Sequence, residues 1–288
     1  MAVDMSGKIV MVTGATAGIG LQTAKDIAKM NAKVVIVGRN PQKTEGVVAD
    51  IKRETGNQNV EYLLADLSSL ADMRQLADDY KAKYDRLDVL VNNVGAMMTT
   101  RQETVDGLEM TFALNHLGYF LPTLLLLDVI KSSAPARIVN VSSSLHSNGE
   151  IDFDNIELKQ GYGSFKAYNA TKLMNVLFTN ELARRLEGTN VTVNALHPGL
   201  VASNFAVTNN KNPLNRIMRM GLNLFAISLE EGAKTSVYLA TSPAVEGVTG
   251  KYFEKSAEKR ASESSHNEAD AKRLWQLSEE ITGLTVSV

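Results

Sequence analysis

Tyr168 and Lys172 stand four residues apart in the run Tyr168-Asn169-Ala170-Thr171-Lys172. On a helix that spacing puts both side chains on one face. A phenol with a pKa near ~10 is a poor base at neutral pH. A neighbouring ammonium and an oxidised nicotinamide ring favour the phenolate and draw that pKa down. Such a pair can hand a proton to a carbonyl under reduction or take one from an alcohol under oxidation. The chain also holds a decoy, because Tyr162 and Lys166 share the spacing. Gly161 and Gly163 flank Tyr162 and argue against a regular helix there. Tyr168 instead heads an amphipathic run through Leu173, Val176, Leu177 and Leu182, and is the candidate.

Two further polar positions could serve the same chemistry. Ser142-Ser143-Ser144 follows an apolar strand pattern, and a hydroxyl there can bond a substrate oxygen as charge develops on it. The plainer reading of any one of these serines is a turn residue that caps backbone. Asn115 is polar among Phe112, Leu114 and Leu117. It reads either as a helix-surface asparagine or as part of a proton relay through water to Lys172. His146 and His197 are too few and too scattered for a metal site, so no catalytic metal is expected.

Thr13-Gly14-Ala15-Thr16-Ala17-Gly18-Ile19-Gly20 lies between a strand pattern and a helix pattern. Gly14 lets the chain turn tightly, Gly18 clears space where backbone meets a pyrophosphate, and Gly20 lets the helix lie close to the sheet. The helix N-terminus then offers unpaired N–H groups to phosphate. The strand before and the helix after are the context that makes this a dinucleotide site, and Lys172 would also bond the nicotinamide ribose. The second strand ends Val37-Gly38-Arg39-Asn40, with no acid to bind a ribose 2′-hydroxyl. Arg39 offers a planar fork suited to a 2′-phosphate, so NADP(H) is expected over NAD(H). Asp66, in Ala65-Asp66-Leu67, is expected at the adenine edge, as an N-cap of the next helix, or as both.

Short Val/Ile/Leu runs alternate with amphipathic ones along the chain. Strands are expected at 8–12, 33–37, 60–64, 87–91, 137–141, 191–196 and 251–253. Helices are expected at 18–31, 41–53, 70–84, 104–131, 166–186, 229–240 and 268–281, and the polar stretch 255–267 reads as an exposed loop. Continuous apolar strands are buried on both faces. Their alternation with helices means an α/β fold with a doubly wound parallel sheet, in one domain spanning 1–288. The 288 residues carry a net charge of −2 and no basic stripe, which argues against nucleic acid as a partner. There is no cysteine, which fits a reducing cytoplasm. Residues 1–7 are short and polar, and neither signal peptide nor anchor is expected there. The most apolar run, Leu117 to Ile130, is too short for a membrane span and reads as a buried helix.

Taken together these pieces resemble the short-chain dehydrogenase/reductase family, a Rossmann fold. The matching motifs are Thr13-Gly14-x-x-x-Gly18-Ile19-Gly20, Asn92-Asn93-Val94-Gly95, Asn115, Val141-Ser142-Ser143, Tyr168-x-x-x-Lys172 and His197-Pro198-Gly199-x-Val201-x-Ser203, in family order and spacing. The resemblance implies a catalytic tetrad of Asn115, Ser143, Tyr168 and Lys172. It places Gly14, Thr16, Ala17, Gly18, Ile19, Gly20, Arg39, Asn40, Asp66, Leu67, Asn93, Gly95, Tyr168, Lys172, Pro198, Gly199, Val201 and Ser203 against the cofactor. Val94 stands where the family has alanine, and Ser203 where it has threonine.

The likeness extends to the retinol-dehydrogenase-like and protochlorophyllide-reductase-like subgroup. It rests on the long stretch from Ser143 to Tyr168, on the helix Leu177 to Leu186, and on Gly247 to Phe253 with Leu274-Trp275 beyond. Residues 201–227 fall where the family keeps a helical substrate lid, ahead of a C-terminal tail at about 255–288. The lid stretch is rich in Phe205, Leu214, Ile217, Met218, Met220, Leu222, Leu224 and Phe225. Methionines suit an adaptable apolar surface, which implies a hydrophobic small-molecule substrate; a core or subunit-contact helix is the rival reading. The implied activity is NADP(H)-dependent carbonyl reduction or alcohol oxidation. A non-catalytic NADP(H) sensor and an enone reductase are the alternatives. The resemblance leaves a homodimer or homotetramer open.

Overall fold

The computed structural model describes residues 3–201 and 227–284; the expected lid and Ser203 lie outside them. Eight strands form one sheet in the order β3-β2-β1-β4-β5-β6-β7-β8. They are β1 (Ile9–Thr13), β2 (Lys33–Gly38), β3 (Val60–Leu64), β4 (Val89–Asn92), β5 (Ala136–Val141), β6 (Val191–His197), β7 (Lys251–Glu254) and β8 (Ala257–Lys259). All neighbours pair in parallel except β7 with β8. The order reverses direction between β1 and β4, and in such sheets ligands bind beyond the strand C-termini at that point.

The Val/Ile runs explain the layering. Alternate strand residues point to opposite faces, so each apolar run feeds two cores. Met11, Val35, Val37 and Leu90 join one core, with Met73 and Leu76 of α3 (Leu70–Lys83), Phe120 of α5 (Gly118–Leu125) and Phe178 of α7 (Ser164–Arg185). Val10, Val12, Val34, Ile36 and Val91 join the other, with Ala24 and Ile27 of α1 (Gly18–Ala28), Ile51 of α2 (Pro41–Thr55) and Leu239 of α8 (Leu229–Thr241). The C-terminal helix α9 (Glu268–Thr282) lies over the first core, where Trp275 packs 5.2 Å from Phe120 and 6.0 Å from Phe178. Leu117 to Ile130 is mostly core, with Asp128 exposed, and among the described residues no helix is long and apolar enough to cross a membrane.

Three expectations need correction. The helix read over 104–131 is broken. Thr104 to Leu108 instead closes a small turn, with Thr104 N–H donating to Leu108 O and Gly107 at φ 76°. Helix begins at Met110, where the Glu109 carboxylate accepts from the N–H groups of Thr111 and Phe112 at 2.9 and 2.7 Å. A short α4 (Met110–Phe112) runs into a π-helical turn over Ala113–Leu117, then into α5 and α6 (Leu127–Ser132). Pro122 sits inside α5, where it lacks an N–H and crowds the preceding turn. Second, 255–267 is not simply exposed loop. Lys255 and Ser256, at φ 52° and 59°, make a two-residue hairpin turn into β8, and Ala261 and Ser265 are buried. Third, the N-cap of α3 is Ser69, which accepts from Asp72 N–H at 3.2 Å, so Asp66 does not cap that helix.

Candidate active site

The turn after β1 is closed from behind. Gly14 and Gly18 have φ 63° and 60°, a region that favours glycine. Asn93, just past β4, donates from Nδ2 to Thr13 O at 2.9 Å and Gly14 O at 3.3 Å. The Thr13 hydroxyl accepts from the N–H groups of Asn93 and Val94 at 2.9 and 3.2 Å. A Cβ on Gly20 would fall 2.3 Å from Asn93 Nδ2 and 2.7 Å from Gly14 O, so only glycine fits there. The first turn of α1 carries no acidic residue, and no side chain caps Ala17. A left-handed glycine turn leading to an uncapped helix start fits the pyrophosphate of a dinucleotide.

Arg39 and Asn40 follow β2. Asn40 caps α2, accepting from Lys43 N–H at 2.9 Å. Arg39 is exposed and pairs with Asp66 at 3.1 Å. Burial alone would raise the Asp66 pKa, but hydrogen bonds from Ser68 and Arg39 leave it below the usual carboxylate value. Thr16 packs its methyl against Gly38, where a Cβ would stand 2.6 Å away. Leu67 is buried in the core beside Gly118. At the end of β6, Gly199 has φ 90°, and Val201 pairs in parallel with Ile227. Val201 and Ile227, the described ends of the expected lid, are thus joined by an isolated bridge.

The four expected reacting residues meet at the ends of β4 and β5. Tyr168 and Lys172 share a face of α7, and Lys172 Nζ stands 5.6 Å from the Tyr168 ring centre. The Ser143 side chain lies beside Tyr168 and works to lower the pKa of its hydroxyl. Its neighbours in the triplet differ: Ser142 donates to the carbonyl of Lys172 at 2.7 Å, and Ser144 is exposed. Lys172 Nζ donates to Val141 O at 3.0 Å. Asn115, in the π-helical turn, is fully buried. Its Oδ1 accepts from Ala96 N–H at 2.8 Å, while Nδ2 donates to Ala96 O at 2.8 Å and to the Thr171 hydroxyl at 3.2 Å. A Cβ at Gly95 would stand 3.4 Å from Asn115 Oδ1 and 3.5 Å from Lys172 Nζ, so both groups converge on that bare backbone. The decoy falls away: Tyr162 precedes α7 and donates to Met98 O at 3.0 Å.

Burial governs the protonation of this cluster. It lowers Lys172 from 10.5 to about 7 and pushes Tyr168 well above its ordinary 10, with the Ser143 side chain opposing the rise. The sequence predicts a phenol pulled down by a neighbouring ammonium. In the protein itself, low-dielectric surroundings disfavour both charged forms, and the proton stays on Tyr168.

Over residues 8–214 the sequence matches the family described as short chain dehydrogenase. The chain belongs to the short-chain dehydrogenase family. It is similar to retinol dehydrogenase 14 of Homo sapiens, 41% identical over 297 residues that cover 97% of this chain and 88% of that one. Retinol dehydrogenase 12 of Mus musculus is 41% identical over 282 residues, covering 98% and 88%. Among solved structures, an uncharacterized protein from Mycobacterium Paratuberculosis superposes with a TM-score of 0.78 at 28% identity, covering 98% of this chain and 95% of that one. The Pseudomonas aeruginosa RhlG/NADP active-site complex gives 0.70 at 26%, covering 87% and 95%. Within the family this chain falls in the retinol-dehydrogenase-like subgroup. It is an NAD(P)-binding oxidoreductase that acts between alcohols and carbonyls.

Two features of this short-chain dehydrogenase escaped sequence reasoning. Tyr119, one helical turn after Asn115, donates to Val141 O at 3.1 Å and holds its ring 5.6 Å from Lys172 Nζ. The i, i+4 spacing from Asn115 is the signal that could have found it. A buried polar ladder crosses the sheet under the site. Asn92 Nδ2 donates to the Thr123 hydroxyl and to Asn140 Oδ1, both at 2.9 Å, and Asn140 Nδ2 donates to the Thr179 hydroxyl at 2.9 Å. It ties α5 to α7 across β4 and β5, below the elements that carry Asn115, Tyr168 and Lys172.

Proposed function

We propose that this enzyme interconverts an apolar aldehyde or ketone and its alcohol, that Tyr168 carries the proton, and that NADP(H) is the preferred cofactor. The observation that carries the reading is the pairing of Tyr168 and Lys172 on one face of α7, with the buried amine 5.6 Å from the Tyr168 ring centre and Ser143 beside them. Gly14, Thr16, Ala17, Gly18, Ile19 and Gly20 would hold the pyrophosphate. Gly95, Pro198, Gly199 and Val201 would line the nicotinamide end, and Asp66 and Leu67 the adenine end. When bound, the nicotinamide dinucleotide supplies or accepts the hydride.

In the reducing direction Tyr168 begins protonated, the state its burial favours, and gives that proton to the carbonyl oxygen. Ser143 donates a hydrogen bond to the same oxygen as negative charge gathers on it. Lys172, with a pKa near neutrality, stabilises the phenolate as it forms and restores its proton. Asn115 holds Ala96 and thereby the Gly95 backbone against Lys172.

The NADP(H) preference is supported by Arg39 at the end of β2, where no acid stands on the strand to repel a 2′-phosphate. Arg39→Ala should raise the Kd for NADPH by roughly 10- to 100-fold, the loss of one or two charge-assisted hydrogen bonds. The Kd for NADH should change less than threefold, and equal weakening of both would overturn the preference. The apolar substrate is supported by the names of the relatives, retinol being an apolar alcohol. Phe165, 57% exposed one turn before Tyr168, and Leu200, 50% exposed after Gly199, support it as well.

The test is a panel of aldehydes, ketones and enones, polar and apolar, mixed with NADPH and followed at the nicotinamide absorbance band. Turnover of apolar aldehydes or ketones is expected. Tight NADPH binding with no turnover would mark a sensor, and turnover of enones alone a carbon–carbon double-bond reductase.

A further inference from the structure

His146 lies in the 3-10 turn Ser144–Asn148 and is 4% exposed. Its Nδ1 is 2.7 Å from the carbonyl oxygen of Ser143, and its Nε2 is 3.0 Å from the backbone nitrogen of Ser262. A backbone N–H can only donate, so Nε2 must accept and Nδ1 must carry the proton. The ring is therefore one neutral tautomer, bonded at both ends, and its face lies 4.7 Å from the ring of Tyr252.

The two groups it joins are themselves anchored. The Ser143 carbonyl also accepts the backbone N–H of His146 at 3.1 Å. The Ser143 hydroxyl accepts from Leu145 N–H at 3.2 Å and lies beside Tyr168. The turn ends at Gly149, where a Cβ would come within 2.5 Å of the carbonyl of Asn169, the residue after Tyr168. On the other side, the 3-10 turn Glu263–His266 holds Ser265, whose carbonyl accepts from Asn180 of α7 at 2.8 Å.

We propose that His146 is the positioning residue of Ser143, bracing the serine peptide against the segment after β8 so that its hydroxyl stays aligned with Tyr168. The inference rests on reading Ser143 and Tyr168 as the pair that meets the carbonyl. Ser143 is extended, at φ −157° and ψ 155°. A tilt of its peptide plane moves its hydroxyl as well, and a shift on the order of 1 Å at a reacting group can cost a hundredfold in rate. A buried imidazole with both nitrogens engaged is a stiff brace against that tilt, as outer hydrogen-bond partners are for the groups they orient.

The same geometry implies a pH response. Protonating Nε2 would set one donor against another and break the bond to Ser262. Burial holds the His146 pKa below its ordinary 6.5, with Lys259 of β8 and His266 adding to the effect. His197 at the end of β6 and Tyr252 of β7 complete its titratable surroundings, and the Glu254 carboxylate faces His197.

The experiment uses the full chain, NADPH and the best carbonyl of the panel. His146→Phe keeps a buried ring against Tyr252 and removes both hydrogen bonds. It should lower kcat tenfold or more, with the NADPH Kd and the carbonyl KM within about threefold. His146→Asn keeps a donor for the Ser143 carbonyl and does not titrate. It should recover part of the kcat lost in His146→Phe and lack the acid limb of the reduction profile. Ser262→Pro removes the N–H that Nε2 accepts, together with an exposed hydroxyl bonded to Ser264, at a residue whose φ of −60° suits proline. It should lower kcat and flatten the acid limb, because the bond that protonation would break is already gone, and it should move the His146 imidazole titration read by NMR to higher pH. Wild-type kcat in His146→Phe, or an acid limb unchanged in Ser262→Pro, would overturn the inference; if His146→Phe does not fold, Ser262→Pro decides. Tyr168→Phe run alongside separates the two claims. If it stays active, the reading of the site fails; if it is inactive while the His146 and Ser262 variants behave as wild type, only the positioning role fails.

Discussion

Gly20→Ala places a methyl group where the structure leaves no room. The added carbon would stand 2.3 Å from Asn93 Nδ2 and 2.7 Å from Gly14 O. Asn93 cannot simply step aside, because that nitrogen already donates to Thr13 O and Gly14 O. Either those bonds break, at about 1 kcal/mol each, or the turn shifts off Asn93 under an overpacking strain of roughly 1–3 kcal/mol. Both outcomes deform the backbone proposed to face the pyrophosphate. A loss of about 2–3 kcal/mol in cofactor binding corresponds to roughly 30- to 150-fold in Kd. Fluorescence titration with NADPH reads this directly, with thermal unfolding alongside to show that the chain is folded. Gly46→Ala is the control: it lies within α2 and a Cβ there meets nothing within 4 Å. It should stabilise the fold by up to about 1 kcal/mol and leave the Kd unchanged. Wild-type NADPH affinity in Gly20→Ala would refute the idea that Asn93 closes this turn around the cofactor site.

Two other outcomes follow from the interior. Asn92→Leu removes the centre of the polar ladder and leaves Thr123 and Asn140 short of a partner. It should cost about 2–3 kcal/mol in urea unfolding, and a cost under about 0.5 kcal/mol would contradict the ladder's structural weight. Lys172 is lowered to about 7 in the fold against 10.5 as its ordinary value. Between those values the unfolded chain binds more protons, so stability should rise with pH across that window and be lowest below it. The urea midpoint should climb from pH 7 to pH 9.5, and Lys172→Met should flatten the climb. An unchanged slope in the variant would show that another group is responsible.

Much of this architecture was legible because its signals are local. The Val/Ile runs mark strands buried on both faces, and the glycines between a strand and a helix mark the left-handed turn that opens α1. Helix context separated Tyr168 from its decoy Tyr162. What stayed hidden depends on contacts between distant residues. Lys255 and Ser256 form a hairpin turn without the glycine or asparagine that usually signals one. Glu109 caps a helix start in place of the usual serine, threonine or asparagine, so the pattern through 104–131 read as unbroken. Asn92 and Asn140 are recognisable only as polar exceptions in apolar strands until the register of β4 on β5 sets them opposite each other. His146 read as a lone histidine because its second partner lies 116 residues away. Asn115 reads in the sequence either as a helix-surface asparagine or as part of a relay to Lys172; burying it and engaging its amide with Ala96 and Thr171 takes contacts that no local pattern shows.

The proton-carrying role of Tyr168 is tested most directly by Tyr168→Phe, which removes one buried hydroxyl and keeps the ring that packs there. Steady-state reduction of the best carbonyl should fall by at least about 100-fold, the share that a positioned acid contributes, while NADPH still binds within about threefold of wild type. Turnover within threefold of wild type, with the nucleotide bound, would contradict the account.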